Sequence, residues 1–224
     1  MIHKTLGPIP VPTIKRLPSY LRVVKQYKSE GVKWVSATMI AEELRLTPIQ
    51  VRKDISCTGI EGRPKVGFQI DDLIDAIIYN LGWDNTTDAI IVGAGHLGQA
   101  LAGYEGFDSY GLRIIGAFDH NKKKVGGHIG KVEIYHVDTM ESFVLNNRIR
   151  LGVIAVPAKA AQDIATRMAD CGILGIWNFA PRDLKVPDGV ILQRTDLATS
   201  FAVISAKLRR EISVGEYYAP IIDD

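Results

Sequence analysis

Three glycines spaced as Gly93, Gly95 and Gly98 are the residues of this 224-residue chain whose type and spacing point most directly to chemistry. They lie in residues 88–100, DAIIVGAGHLGQA, directly after the apolar run Ala89-Ile90-Ile91-Val92. A G-x-G-x-x-G turn between a buried strand and a helix suits a dinucleotide. One glycine makes the tight turn, one lets the backbone approach a pyrophosphate, and one allows close helix–strand packing. The helix start then offers free N–H groups to the phosphates. The candidate cofactor-binding residues are therefore Gly93, Ala94, Gly95, His96, Leu97 and Gly98. A second β-type run, residues 112–118, ends at Asp119, 21 positions after Gly98. An acid there is expected to meet the adenine ribose hydroxyls and to disfavour a 2′-phosphate, with Lys122, Lys123 and Lys124 as opposing charges. A glycine-rich turn without a ligand is the alternative.

A second constellation is polar and basic. Thr47-Pro48-Ile49-Gln50 reads as a helix start, with Thr at the N-cap, Pro at the first position and Gln closing a capping box. Val51 and Ile55 make the buried stripe of that helix, which leaves Gln50, Arg52, Lys53 and Ser56 on its outer face. A preceding helix over 37–44, capped by Ser36, makes the pair a helix-turn-helix. Gln pairs well with adenine, and Arg or Lys with guanine or phosphate. Residues 59–70 then alternate glycines with basic residues. They read as a hairpin wing with Arg63 and Lys65 at its tip, suited to phosphates or a minor groove.

Charge supports a polyanionic partner for this part. Residues 1–65 hold 12 Lys and Arg against 5 Asp and Glu, a balance of +7, whereas the remainder balances at −5. A basic, solvated surface is the alternative. The two cysteines, Cys57 and Cys171, form no CxxC pair, and the five histidines show no ligand spacing, so no metal site is expected. No apolar run reaches the ~18–20 residues of a membrane span, and MIHKTLGPIP has no apolar leader region, so a cytoplasmic protein is expected.

Positioning these residues requires two kinds of scaffold. Residues 1–12, with Pro8, Pro10 and Pro12, read as an extended lead-in. Thr13 is expected to cap a helix running to about Glu30. A helix over 71–82 closes a winged helix-turn-helix domain spanning 1–82. From 86 to 195 strands and helices alternate as a Rossmann-type parallel sheet requires, giving an α/β chain. Its expected parts are the helix after the glycine turn, with Leu97, Leu101 and Tyr104 on one face, and a turn over 126–130. Strands over 132–136 and 151–156 follow, then helices over 139–147 and 160–171 and strands over 175–179 and 190–193. Pro157 and Ala158, at a strand's carboxyl end, would face the cofactor. A long helix, 196–217, carries Leu197, Phe201, Ile204 and Leu208 on one side and suits either a partner subunit or the intrachain core.

The order of these parts, together with RLPSYLR at 16–22, QVRKDIS at 50–56, VGAGHLGQAL at 92–101 and AVPA at 155–158, closely resembles the redox-sensing transcriptional repressors called Rex. That resemblance implies a homodimer that binds an inverted-repeat operator in double-stranded DNA, and NADH or NAD as the regulatory ligand, with release of DNA when NADH binds. It implies DNA contacts from Gln50, Arg52, Lys53, Arg63 and Lys65. It further implies Tyr104 near the nicotinamide, and a charged interdomain switch between Arg22 and Asp196. It implies no catalytic residue and no small-molecule substrate turned over. The rival reading, an NAD-dependent oxidoreductase with an added DNA-binding domain, lacks an evident acid–base dyad and leaves few residues for a substrate domain.

Overall fold

The structure is a computed structural model and describes residues 7–217, the side chains of 197 and 213–217 excepted. Residues 1–6 and 218–224, and the side chain of Leu197, lie outside it. Two compact units are present: residues up to Thr86 with Gly106–Gly111, and Thr87–Glu105 with the chain from Leu112 onward.

The first unit contains α1 (Val11–Ser29), β1 (Trp34–Val35), α2 (Ala37–Leu44), α3 (Pro48–Ser56), β2 (Phe68–Gln69) and α4 (Ile70–Leu81). Helix α1 begins inside the expected lead-in, with Pro10 at its N-cap. Prolines fit there because first-turn N–H groups have no intrahelical acceptor anyway. Thr13 is consequently not the cap. It is buried, and its hydroxyl donates to Asp54 at 2.8 Å. The caps of α2 and α3 are as expected: Ser36 accepts from the Met39 N–H and Thr47 from the Gln50 N–H. Leu17, Tyr20, Val24, Ile40, Val51, Ile55, Leu73 and Ile77 fill the core between the helices. Strands β1 and β2 pair antiparallel, and an Arg63–Gly67 bridge closes the wing beyond them.

The second unit is built on a seven-stranded sheet. In chain order it contains β3 (Thr87–Val92), α5 (His96–Ala102), β4 (Leu112–Asp119), β5 (His128–Ile129), β6 (Val132–His136) and α6 (Met140–Asn147). It continues with β7 (Leu151–Ile154), α7 (Ala158–Asp170), β8 (Gly175–Asn178), β9 (Ile191–Arg194) and α8 (Leu197–Tyr217). The sheet order is β5-β6-β4-β3-β7-β8-β9, and every pair is parallel except β5–β6. The chain leaves β3 toward β4 on one side and returns on the other as β7, so strand order reverses at β3. That reversal opens a crevice beyond the carboxyl ends of the strands, where ligands of open α/β sheets lie. Ile90, Val92, Phe118, Ile154, Ile164, Ala165 and Met168 form the core around these central strands.

Three details differ from the sequence reading. The expected turn at 126–130 contains β5, which forms a short hairpin with β6. Helix α5 ends at Ala102, so Tyr104 stands beyond it and does not share a helical face with Leu97 and Leu101. Helix α7 starts at Ala158, with Pro157 as its N-cap. In α8, Phe201, Ile204, Leu208 and Ile212 are all exposed on this chain at three- and four-residue spacing, which puts them on one face.

Candidate functional site

In the second unit, the three glycines do different jobs. Gly93 has φ +105°, a left-handed region that disfavours any side chain, and a Cβ there would lie 2.3 Å from the Ala155 carbonyl oxygen. At Gly98 a Cβ would lie 1.7 Å from the Gly93 oxygen. Those two glycines are demanded by the protein's own packing. Gly95 is not: its φ of −78° suits any residue, and a Cβ there would meet nothing within 4 Å. The bare backbone at Gly95 faces free space at the switch point, and so fits a group that must approach the main chain closely. His96 and Leu97 are exposed beside it, while Ala94 is buried. The turn is pinned to both neighbouring strands, by Gly93 N–H to Phe118 O at 2.7 Å and Ala155 N–H to Val92 O at 2.8 Å. Beyond β7, Pro157 is exposed and Ala158 half-buried.

Asp119 is the last residue of β4, and only 5% of it is exposed. Its Oδ2 accepts from the Ala94 N–H at 2.9 Å and from Lys124 Nζ at 3.1 Å, and its Oδ1 accepts from the Asn121 N–H at 2.9 Å. Lys124 Nζ also donates to the Ala94 carbonyl at 2.9 Å. Burial alone would raise the Asp119 carboxyl, but these hydrogen bonds outweigh it and hold the group below the ordinary carboxylate range. The carboxylate is thus an ionised brace across the glycine turn. Sequence reading finds Asp119 by its spacing but not its bond to the turn, because the Ala94 N–H it accepts from is 25 residues away.

In the first unit, Arg52, Lys53 and Ser56 are exposed and Gln50 half-buried on the outer side of α3, opposite buried Val51 and Ile55. A hollow of about 500 Å³ lies between this helix and the wing, lined among others by Ser36, Thr38, Arg52, Ser56, Arg63 and Lys65. The structure therefore brings Arg52, Ser56, Arg63 and Lys65 together around one depression. Ser36 and Thr38, at the start of α2, join them. The Arg63 guanidinium lies over the Trp34 ring, 4.6 Å from its centroid, in cation–π geometry. Lys65 has φ +62°, a left-handed conformation unusual for a residue with a side chain.

One residue of this helix escaped the sequence reading. Asp54 points inward from α3 and is nearly fully buried. It accepts from Thr13 (2.8 Å), twice from Arg16 (2.7 and 2.8 Å) and from Tyr20 (2.6 Å), so α1 and α3 are tied through one carboxylate. Burial pushes Asp54 up, but the bonds from Arg16, Tyr20 and Thr13 prevail and hold it below its ordinary value. Tyr20 is pushed well above the ordinary phenol range by burial and by that carboxylate. The run RKD at 52–54 reads as a charged surface unless the partners on α1 are known.

The two expected switch residues sit in different units. Arg22 is exposed on α1 and reaches Ser19 at 3.5 Å. Asp196, just before α8, accepts from Arg194 Nη2 at 2.9 Å and from the Ala198 N–H at 2.9 Å, while Arg194 also pairs with Asp183. Among the described residues no group of three His, Cys, Asp or Glu could hold a metal ion, and no helix is long and apolar enough to cross a membrane.

Comparison with known proteins places both units. Residues 8–56 match the family model "Putative DNA-binding protein N-terminus", and residues 84–182 match "CoA binding domain". A redox-sensing transcriptional repressor Rex from Treponema denticola is 43% identical, over 88% of this chain and 94% of its own. The Rex of Carboxydothermus hydrogenoformans is 41% identical, over 91% and 98%. Among solved structures, RSP in complex with β-NAD+ and operator DNA is 36% identical, with a TM-score of 0.87 over 96% of this chain and 98% of that one. RSP in complex with β-NADH matches at 36% identity and a TM-score of 0.83, over 96% of this chain and all of that one. The chain belongs to the family of redox-sensing transcriptional repressors named Rex.

Proposed function

We propose that this chain is a DNA-binding transcriptional repressor that senses the NADH/NAD balance and releases an inverted-repeat operator when NADH binds. The observation that carries the reading is the pairing, in one chain, of a basic winged helix with a glycine turn whose middle member, Gly95, faces free space at a sheet's switch point. RSP, a protein of matching length, is solved in complex with β-NAD+ and operator DNA and in complex with β-NADH.

In this reading Gln50, Arg52, Lys53 and Ser56 enter the major groove, and Arg63 and Lys65 follow the backbone or minor groove. The glycine turn takes the pyrophosphate, Pro157 and Ala158 face the cofactor, and Tyr104 lies near the nicotinamide. The exposed apolar face of α8 meets a second copy, because a symmetric operator needs two recognition helices about one DNA turn apart, ~34–36 Å. Release then follows from a change in that separation, driven only by the difference in NADH affinity between the two arrangements. Arg22 and Asp196 form a charged pair between units in one of them. Asp196 holds Arg194 in this structure, so in that arrangement Arg22 either replaces Arg194 or shares the carboxylate with it. The bound dinucleotide is a regulator and no substrate is turned over; the protein works in the cytoplasm, where its operator is.

The test is fluorescence anisotropy at fixed salt on an operator selected from random duplexes, with NAD and NADH titrated separately. Release by NADH at far lower concentration than NAD is the expected outcome. Equal response to both, or none, would refute the reading.

A further inference from the structure

Arg63 stands on a wing whose main chain is closed at its root. Its N–H donates to the Gly67 carbonyl at 2.7 Å, and its carbonyl accepts from the Gly67 N–H at 2.9 Å and the Val66 N–H at 3.1 Å. Residues 63–66 are therefore a tight turn with Pro64 and Lys65 at its corner, Lys65 taking the positive φ that follows proline in such a turn. Gly67 lies directly on β1. Its φ is +104°, and a Cβ there would stand 2.4 Å from the Val35 carbonyl oxygen. The Arg63 main chain is thus fixed against the strand that carries Trp34. Its side chain is exposed, and an exposed arginine has many rotamers open to it. Here the guanidinium is seated over the ring of half-buried Trp34, which β1–β2 pairing holds opposite Gln69. The negative face of the ring attracts the cation but supplies no carboxylate or carbonyl acceptor. Among the described residues Arg63 has no acidic partner. Arg63 lines the hollow between α3 and the wing, and Trp34 does not.

We infer that Trp34 is a positioning residue for operator binding: its ring orders the Arg63 guanidinium before DNA arrives, and it acts on affinity only through Arg63. The inference rests on the DNA-binding reading under Proposed function and deepens it at the wing. An arginine that docks from many rotamers loses that freedom on binding, whereas one already seated on a ring has less to lose. The gain is about threefold for one ordered side chain, and about tenfold when two subunits each bring a wing to a symmetric operator. Trp is the ring best suited to this task, because its face attracts a cation more strongly than that of Tyr or Phe.

The experiment measures operator affinity by fluorescence anisotropy at fixed salt for the full chain, Trp34→Ala, Arg63→Ala and the double variant. Trp34→Leu and Trp34→Tyr are run beside them, and urea denaturation checks the folding of each. Trp34→Ala is expected to weaken the operator about tenfold. Arg63→Ala is expected to weaken it at least as much, and the double variant to match Arg63→Ala within about twofold. Trp34→Leu keeps apolar bulk without the π face and should behave as Trp34→Ala, whereas Trp34→Tyr should recover most of the affinity. If Trp34→Ala fails to fold, Trp34→Leu takes its place in the cycle. An operator affinity unchanged or tightened by the loss of the ring overturns the inference. So does full affinity in Trp34→Leu, or a double variant weakened by the product of the two single effects, because Trp34 then acts through packing and not through Arg63. If the unmodified chain binds no duplex, the DNA-binding reading itself fails, an outcome distinct from an operator held equally by every Trp34 variant.

Discussion

Replacing Asp54 by Ala should loosen the recognition helix without touching any group that faces DNA. Asp54 receives four hydrogen bonds from three side chains on α1. Removing one partner of a buried ion pair costs about 3–5 kcal/mol. Arg16 is 29% exposed and recovers some hydration, so the lower end, about 3 kcal/mol, applies. Thr13 and Tyr20 are buried, and their hydroxyls would lose their acceptor, which keeps the cost from falling much further. A unit of this size has about 5–14 kcal/mol in total, so the loss is a large fraction. At 1.4 kcal/mol per factor of ten, hydrogen-exchange protection of α1 and α3 amides should fall about 100-fold. Amides of β3 and β7 in the other unit serve as the internal reference and should change little. Asp54→Asn keeps the shape and part of the acceptor capacity, and should lose about half as much. Operator affinity should fall with Asp54→Ala while NADH affinity holds. Protection of α1 and α3 unchanged within threefold would refute the view that this carboxylate joins the two helices.

The same carboxylate fixes a pH dependence. Its folded pKa is depressed below the ordinary 3.8, so its contribution is present above about pH 4 and lost as pH falls through the folded value. The stability gap between the natural chain and Asp54→Asn, followed by urea midpoints from pH 6 to pH 2, should therefore narrow on acidification. The glycine turn predicts a split. Gly93→Ala and Gly98→Ala should destabilise the second unit by more than about 3 kcal/mol, a size associated with steric conflict in a packed site. Gly95→Ala should leave thermal unfolding within about 0.5 kcal/mol, as for a substitution into open space, yet weaken NADH at least tenfold in calorimetry. Lys65→Gly relieves a left-handed residue and should stabilise the wing by up to about 1 kcal/mol, measured by exchange at the Val66 and Gly67 amides. It should also lower the salt slope of operator binding by about 1, through loss of one phosphate contact.

Short-range features were legible in the chain and long-range ones were not. Ser36 and Thr47 could be read as caps because each bonds a backbone N–H only three residues on. Val51 and Ile55 could be read as core because a four-residue spacing defines a helix face. Thr13 reads as a cap from its neighbours alone because its partner, Asp54, is 41 residues away. The pair β5–β6 is not legible because a two-residue strand has no alternation to detect. Spacing puts Tyr104 on α5, but the helix stops at Ala102 and the chain turns away at Gly103. For the proposed nucleotide site, the spacing of the glycines is legible as a turn between strand and helix, while the different demands on Gly93, Gly95 and Gly98 emerge only from the neighbouring carbonyls. Asp119 shows the same limit: its position was legible and the direction of its carboxylate was not.

In the proposed repressor one chain couples its nucleotide turn to its DNA-binding face. Linkage makes that coupling reciprocal: operator DNA must weaken NADH binding by the same factor by which NADH weakens operator binding. The decisive measurement is the NADH dissociation constant, by its own fluorescence, with the protein free and with it saturated by operator. A matching factor of at least tenfold in both directions is the predicted result. An NADH affinity indifferent to operator would contradict the account, because the two sites would then act independently.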